Sequence, residues 1–310
     1  MTPQHYSLAL LVLLLGRAAE SPSPPPTSLP PATIAAFQRY SSNVESVNAH
    51  TLQDGPFLWI DGLHSAERNE LLAKLKSGQV AIRRLSLNSQ GRNPDIPGCM
   101  IHDWEGIVFI PGVKLYDVLR LLQDYNRHAT YFAPDVEQSR IETHDRDHYL
   151  VFMRFRRQKI ITVTLNTLQD VRYFRDSPAR AHSRSSAIRI AQVENAGQPA
   201  EKEKPPGDDA GFLWRMETWW RMEERDGGVY VQNEAVTLTR DIPTGLGWLI
   251  EPFITSIPKE TLEFTLQALR RAVLSQRIGD FKCHSRRLAI RSRPQDPTGR
   301  ITLSSAVTVH

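Results

Sequence analysis

The chain has 310 residues, of which 40% are hydrophobic and 23% charged, and its formal net charge is +4 with a sequence pI near 9.1. This composition is ordinary for a soluble globular protein and excludes a collagen-like, coiled-coil or wholly disordered chain. Two cysteines exclude a disulfide-dense scaffold and a four-cysteine zinc site. The basic balance raises the question of an anionic partner such as nucleic acid or a membrane.

The first feature along the chain is an unbroken apolar run, Leu8–Leu15. Eight residues cannot cross about 30 Å of hydrocarbon, but such a run fits the core of a secretory signal peptide. Gly16 and Ala18 place small residues before a cleavage point, so we predict a signal peptide over residues 1–19 and export to the periplasm or the extracellular space. An uncleaved anchor or a misassigned start codon is the alternative, because no Lys or Arg precedes the run.

Two further segments precede the main domain. Residues 20–35 form a proline-rich linker, with six prolines within Ser21–Pro31, and proline-rich chain is extended rather than packed. Residues 36–100 form an N-terminal extension. Its pattern predicts helices over Ala32–Val47 and Ala66–Lys76 and a short strand over Ile82–Leu87. A turn-rich loop, Asn88–Gly98, follows.

The main domain opens with a predicted strand, His102–Ile110, and an amphipathic helix, Lys114–Tyr125. A series of strand-like runs follows: Tyr149–Arg156, Lys159–Thr167, Val171–Phe174, Ala181–Val193, Phe212–Glu224 and Val229–Thr239. Between the last two, Asp226-Gly227-Gly228 predicts a hairpin turn, because glycine accepts a positive φ. A strongly helical segment, Pro258–Leu274, closes the domain.

One strand-like run has two distinct faces, because side chains alternate along a strand. One face is large and mostly apolar, and it predicts contact with a core or a cavity: Trp214, Met216, Thr218, Trp220 and Met222. The other face is rich in Arg and Glu, and it predicts solvent exposure and cross-strand pairing: Arg215, Glu217, Trp219, Arg221 and Glu223.

Three stretches of this domain carry a resemblance to a known superfamily: Val113–Tyr125, Tyr131–Val136 and Ile257–Phe264. Together with the order of elements, they make residues 101–275 resemble the START-like superfamily, which includes polyketide cyclases, birch-pollen-allergen-like proteins and coenzyme-Q-binding proteins. Phe212–Arg215 and Leu238–Pro243 are similar to the hallmarks of a poorly characterised bacterial subgroup.

The resemblance implies an α+β helix-grip fold, in which a curved antiparallel sheet wraps around a long C-terminal helix. It also implies a cavity for a hydrophobic or amphipathic small molecule, such as a lipid, a quinone or a polyketide. The residues expected to face this cavity come from one strand and the last helix: Trp214, Met216, Trp220, Met222, Leu262, Leu266 and Leu269. The alternative is that these side chains only fill a core. We expect no cofactor and no catalytic residue.

Other clusters of polar residues each leave two interpretations open. His144–His148 is either a metal site or a polar turn, and we predict no metal. Asp124, Tyr125 and His128 are either an acid/base group or a helix terminus. The basic run Arg154, Arg156, Arg157 and Lys159 is either a solvated turn or an anion site. Cys99 and Cys283 are either one disulfide or two separate thiols.

Three functions remain open at this point: a carrier or sensor of a hydrophobic small molecule, a cyclase- or hydrolase-type enzyme on the same fold, and a structural or interaction protein of the cell envelope. The net positive charge does not distinguish between these three functions, because it comes from the last 41 residues and not from the main domain. Residues 270–310 carry a net charge of +7, which leaves −3 for residues 1–269. The basic tail, residues 276–310, is either solvated or bound to an anionic membrane surface. Nucleic acid is not expected, since export would separate it from the tail.

Overall fold

A computed structural model describes residues 29–86, 96, 98–158, 162–205, 209–241 and 256–277. The predicted signal peptide, most of the linker, most of the loop 88–98, Cys283 and the basic tail beyond residue 277 lie outside the described residues. None of the helices in the described part is both long and apolar enough to span a membrane.

The described α-helices precede the first strand, lie between the second and third strands, and follow the last strand. The helices are α1 (Pro31–Asp54), α2 (Ser65–Lys76), α3 (Leu115–Gln123), α4 (His128–Tyr131) and α5 (residues 256–277). The first five strands are β1 (Ala81–Arg84), β2 (Cys99–Pro111), β3 (Val136–Asp145), β4 (His148–Gln158) and β5 (Thr162–Ser177). The last four are β6 (Arg180–Glu194), β7 (Lys202–Glu203), β8 (Arg215–Arg225) and β9 (Gly228–Arg240).

The strands form one antiparallel sheet in the order β1-β2-β9-β8-β6-β5-β4-β3, with β7 paired to β6. This curved sheet packs one face against α3 and α5, as the helix-grip prediction requires. We call that face the inner face and the opposite one the outer face. The fold predicted from the sequence is thereby confirmed.

Two details of the sheet differ from the sequence prediction. The described part of the run Lys159–Thr167 and the run Val171–Phe174 belong to one strand, β5, because residues 168–170 between them pair with both β4 and β6. The sequence prediction also missed β3. Only Val136 of that strand is fully buried, so an alternating apolar pattern is absent and the strand depends on pairing with β4.

The main core lies between the inner face and the helices α3 and α5. Leu115, Val118 and Leu122 of α3 are buried there, together with Leu266 and Leu269 of α5. α5 lies close to β2 at Gly106, where an added Cβ would lie 2.7 Å from Leu266 Cδ1. A side chain at this position would require Leu266 to move, so the glycine allows the close packing of this leucine on the sheet.

The outer face is covered by the N-terminal extension. Phe37, Tyr40 and Val44 of α1 pack against Trp219 and Val236, while α2 and the segment after α1 cover the other end of the face. The solvent-exposed face predicted for β8 is therefore wrong for three residues: Trp219, Arg221 and Glu223 are 5–7% exposed. The prediction failed because nothing in the β8 sequence shows that a helix more than 150 residues earlier packs on it.

The hairpin turn between β8 and β9 is confirmed. Arg225 pairs with Gly228, and the two residues between them, Asp226 and Gly227, have φ values of 56° and 77°. Both values lie in the left-handed region that a two-residue hairpin of this type needs. The tight turn fixes the register of β8 on β9, and thereby which side chains share a face.

Candidate ligand-binding site

The inner face of β2, β9 and β8 changes character along the strands. The cross-strand register places Val108, Val231 and Met222 in one row, which we call the apolar row. All three are fully buried. Farther from the β8–β9 turn lie two rows that we call the polar rows: His102–Thr237–Met216 and Trp104–Ala235–Thr218. Of these six residues, His102 is fully buried and the other five are half-buried.

The predicted cavity residues divide between these regions and a third one. Met222 lies with Leu262, Leu266 and Leu269 in the main core, where each is at most 4% exposed, and Trp220 packs partly buried against that core. Met216 lies in the polar rows. Met222, Leu262, Leu266 and Leu269 are thus packed together in the core and do not line the open space described below.

Trp214 lies apart from the other six predicted cavity residues. The prediction that it shares a face of the strand with Met216 is wrong. It belongs to the outer cluster with Phe37 and Leu238, and its indole Nε1 donates to Asp209 Oδ1 at 2.9 Å. The regular strand begins only at Arg215, so the period-two rule does not extend back to Trp214.

An open space of about 320 Å³ adjoins the polar rows. It is lined by Arg84 of β1, His102 and Trp104 of β2, and Ser256 and Lys259 of the first turn of α5. The volume is at the small end of the range for small-molecule sites, about 300–1,000 Å³. The combination of an indole ring with basic side chains suits a ligand that has both apolar and acidic parts.

Hydrogen bonding around this space is incomplete. His102 Nε2 and Thr239 Oγ1 are 3.0 Å apart and satisfy each other. In the described part of the chain, however, neither the buried indole Nε1 of Trp104 nor the buried Oγ1 of Thr237 has a hydrogen-bond partner. Each such orphan costs about 1–3 kcal/mol, so a ligand that supplies an acceptor to Trp104 would recover part of this loss.

Deeper on the inner face, buried polar side chains satisfy one another. Ser185 Oγ donates to Gln169 Oε1 at 2.8 Å, and Gln169 Nε2 donates to Thr167 Oγ1 at 3.3 Å. Thr167 Oγ1 in turn donates to the carbonyl of Met153 at 3.2 Å. This series of hydrogen bonds makes the inner face polar where β4, β5 and β6 meet.

The charge at the open space is positive. Arg84 and Lys259 are both exposed, and no acidic side chain of the described residues forms an ion pair with either one. Burial and the nearby Arg84 lower the pKa of His102 to about 4, so its imidazole is neutral near pH 7. A neutral imidazole that is already hydrogen-bonded to Thr239 can position a ligand, but it is too weakly basic for proton abstraction at this pH.

The structure places Asp124, Tyr125 and His128 together only as neighbours, not as an acid/base group. Asp124 Oδ2 accepts from Tyr131 at 2.6 Å, and Tyr125 shares a 2.7 Å hydrogen bond with Tyr173. His128 is buried, contacts the backbone carbonyl of Leu121, and has its pKa lowered to about 4 by burial. Each group therefore has a separate structural partner.

The two remaining clusters lie in a turn and on a strand. His144–His148 spans the turn between β3 and β4, where Asp145 pairs with His148. The basic run on β4 is neutralised by acidic partners: Arg154 pairs with Glu201, Arg156 with Glu137, and Arg157 with Asp135. Lys159 lies outside the described residues. Cys99 is a buried free thiol.

The sequence analysis missed His102, Trp104 and Thr237 as site residues, although a signal for them existed. Strand alternation over His102–Ile110 puts His102 and Trp104 on one face, just as it puts Met216 and Trp220 on one face of β8. The pairing of β2 with β9 was not predicted. The sequence therefore did not show that this face of β2 and the face of β8 with Met216 and Trp220 lie on the same side of the sheet.

Comparisons with known proteins give likenesses in fold only. No protein-family model matches the sequence, and no curated protein matches it. A STAR-related lipid transfer protein from Xanthomonas axonopodis is 18% identical, covering 58% of this chain and 96% of that one, with a TM-score of 0.39. An aromatase/cyclase from Streptomyces sp. R1128 is 13% identical, covering 56% and 93%, with a TM-score of 0.36.

Human STARD10 shows a similar likeness: it is 8% identical, covering 69% of this chain and 83% of that one, with a TM-score of 0.37. At TM-scores below 0.5 these likenesses support no functional conclusion. The assignment of the helix-grip fold, and with it the resemblance to the START-like superfamily, rests on the strand order and on the packing of α5 described above.

Proposed function

We propose that the protein binds an amphipathic small molecule on the inner face of the sheet, beside the first turns of α5. The observation that carries this proposal is the contrast within that face. The apolar row is sealed under α5, whereas five of the six residues in the polar rows are half-buried, and Trp104 and His102 of these rows line an open space of about 320 Å³. A face that only filled a core would be closed along its whole length.

The polar end of the ligand is proposed to be acidic. Arg84 and Lys259 flank the open space without acidic partners in the described residues, and a carboxylate or phosphate accepts from both kinds of side chain. The indole N–H of Trp104 supplies a further donor. The apolar part of the ligand would then lie along Met216 and Trp220 toward the sealed core.

The role that fits this geometry best is carriage or sensing rather than catalysis. Ser185, Gln169 and Thr167 of the inner face are hydrogen-bonded to one another. His102, which among the described lining residues could transfer a proton near neutral pH, is held neutral. No described observation favours the cyclase or hydrolase alternative or the envelope-protein alternative over this role.

The test measures binding of palmitate and of hexadecanol, which share a chain of sixteen carbons and differ in charge. Calorimetry or native mass spectrometry on the full chain is expected to show palmitate bound more tightly. Ala235→Phe fills the middle of the polar rows and is expected to reduce binding of both ligands by about tenfold or more. Ala73→Phe adds the same bulk at an exposed position of α2 and serves as the matched control.

The charge proposal has its own variants. Arg84→Gln and Lys259→Gln are expected to weaken palmitate about three- to tenfold and to leave hexadecanol unchanged, while Arg39→Gln on the exposed side of α1 changes neither. Absence of binding by both ligands, or binding that Ala235→Phe leaves intact, would contradict the proposed function. Equal affinity for both ligands would contradict only the acidic end.

The place of this activity is proposed to be outside the cytoplasm, on the strength of the apolar run Leu8–Leu15. Mass measurement of the mature chain from fractionated cells tests this, since cleavage removes 18 or 19 residues. The basic tail is proposed to attract the protein to an anionic membrane surface. Flotation with anionic vesicles should therefore be weaker for a chain that ends at residue 277 than for the full chain.

A further inference from the structure

The outer face of the same strands buries three carboxylates, Asp103 and Glu105 of β2 and Glu234 of β9, which we call the acid cluster. They are 1%, 4% and 6% exposed. Glu105 and Glu234 are direct partners in the β2–β9 register, so two like-charged residues face each other across the ladder. Like charges directly opposite destabilise a strand pair, and burial makes the repulsion larger.

The acid cluster is enclosed by α1. Tyr40 of α1 donates to Asp103 Oδ2 at 2.8 Å, and Asn48 Nδ2 donates to Glu234 Oε2 at 2.8 Å. Tyr40, Val44 and Asn48 are spaced four residues apart, so they lie on one face of α1, and all three are buried. The face of α1 that docks on the sheet is therefore the one that contacts the acid cluster.

The cluster has fewer cations than carboxylates. Arg83 of β1 donates to Glu105 Oε2 at 2.7 Å, and buried Arg221 of β8 donates to Asn48 of α1 and to the carbonyl of Phe57. Gln232 donates to the second oxygen of Glu105 at 2.6 Å. Two guanidinium groups face three carboxylates, so full ionisation leaves one uncompensated negative charge under α1.

The charged groups around the cluster do not remove this excess. The further charges on the surrounding elements are already paired: Glu45 of α1 with Arg184, Glu223 of β8 with Arg180 and Arg225, Glu217 with Arg184, and Asp176 with His182. Burial raises the pKa of Asp103 to about 7, and burial with the charges of Asp103 and Glu105 raises that of Glu234 to about 8. Asp103 Oδ1 also has no hydrogen-bond partner among the described residues.

We propose that docking of α1 on the outer face requires a proton shared within the acid cluster, so that α1 acts as a pH-sensitive cover that is held below neutral pH and released above it. The sign follows from the charge count. With one proton bound, the cluster's charge is balanced by Arg83 and Arg221. When that proton is lost, α1 is left covering an unpaired buried charge, and releasing the helix lets water solvate it.

Cys99 gives a direct readout of this release. Its thiol is buried in the cluster that joins α1 to the sheet, with Phe37 as a neighbour and Thr33 as a hydrogen-bond partner. The experiment uses the full chain carrying Cys283→Ser, so that a disulfide reagent modifies Cys99 alone. The protection of Cys99 is obtained by comparing its modification rate in the folded chain with the rate for the same chain in denaturant at the same pH. The ratio of the two rates removes the pH dependence of the thiol itself.

The protection of Cys99 is expected to fall by about tenfold or more between pH 6 and pH 8.5, while circular dichroism shows the sheet unchanged. Glu234→Gln keeps an acceptor for Asn48 but removes the charge, and it is expected to hold the protection nearly constant. Glu142→Gln removes an exposed acid of β3 that pairs with Arg140, and it is expected to behave as the parent chain.

Three results would overturn the proposal: protection that does not change with pH in the parent chain, the same fall in Glu234→Gln, or a fall that Glu142→Gln also abolishes. If Glu234→Gln does not fold, Asp103→Asn replaces it under the same criteria, since it removes the other shared position of the proton and keeps an acceptor for Tyr40. Loss of secondary structure in parallel with protection would show global unfolding and would also count against a local cover.

Discussion

The two faces of β2, β9 and β8 bury polar groups in opposite ways. On the outer face, Glu105, Glu234 and Arg221 are buried, and each is hydrogen-bonded to a side chain of α1 or β1. On the inner face, Trp104 and Thr237 are half-buried and Trp104 lines the open space. The indole Nε1 of Trp104 and the Oγ1 of Thr237 have no partner in the described residues. The same strands thus hold a closed polar interface on one side and an unfinished one on the other.

This difference shows how burial alone misleads about function. The acid cluster contains the more perturbed and more charged groups, and such groups often mark active sites. Each of its carboxylates nevertheless accepts a hydrogen bond from one of the chain's own residues, and α1 covers them. The polar rows carry less unusual chemistry, but they are open and incomplete. The binding proposal therefore belongs to the inner face and the docking proposal to the outer face.

Removing the guanidinium of Arg221 is the largest disturbance of the outer face. Arg221→Ala removes a buried guanidinium that donates to Asn48 and to the carbonyl of Phe57 and that interacts electrostatically with Glu105 and Glu234. Truncating one member of a buried charged group of this kind is expected to cost about 3–5 kcal/mol. Urea denaturation measures the free energy of unfolding. Arg215→Ala, at a half-buried position earlier on the same strand, is the control. It is expected to lower the free energy of unfolding by less than 1 kcal/mol, because substitutions outside the core usually change it by about 0.5 kcal/mol. Similar losses in both variants would contradict the buried charge network.

The apolar part of the inner face is tested by Leu266→Ala. Leu266 is fully buried against Gly106, so the truncation is expected to lower the free energy of unfolding by about 2–5 kcal/mol. Thr265→Ala, the neighbouring half-buried residue of α5, should have a much smaller effect. Equal effects would mean that α5 does not pack on β2 as described.

The pH dependence of stability separates the faces further. His102 and His128 have pKa values lowered from 6.5 to about 4, so the unfolded chain binds more protons than the folded one between pH 4 and 6.5. Asp103 and Glu234, with raised pKa values, have the opposite effect from pH 4 to about 8. The two effects on the free energy of unfolding oppose each other between pH 4 and 6.5. Above pH 6.5 only the effect of the carboxylates remains.

The free energy of unfolding is therefore expected to fall between pH 6.5 and 8, at no more than about 1.4 kcal/mol per pH unit for each proton. Urea titrations at intervals of half a pH unit measure it. Glu234→Gln should flatten the curve in this window. A curve that rises with pH in the parent chain would contradict the raised pKa values of the acid cluster.

Tyr40→Phe makes the smallest change. It removes the hydrogen bond to Asp103 and is expected to lower the free energy of unfolding by about 1 kcal/mol. Palmitate affinity should stay the same, because Tyr40 lies on the outer face. A change in affinity without a change in stability would show that the two faces are coupled.

The sequence predicted the fold better than either site. β2, β6, β8, β9, α3 and α5 have alternating or helical patterns of apolar residues, and each was predicted within a few residues of its bounds. The acid cluster could not be predicted, since Asn48 and Glu234 are 186 residues apart and no local pattern joins them. The pattern of β8 predicted two faces but could not show which helix each one meets.

Two indole groups, one on each face, allow the most direct test of the binding proposal. Trp104 Nε1 lies by the polar rows without a partner in the described chain, whereas Trp219 Nε1 donates to Glu45 of α1 at 2.8 Å on the outer face. In ¹⁵N-labelled full chain, with the indole signals assigned by Trp104→Phe and Trp219→Phe, palmitate is added at constant pH. The account predicts that the Trp104 indole signal shifts and the Trp219 signal does not. A shift confined to Trp219, or no shift of either signal at saturating palmitate, would contradict it.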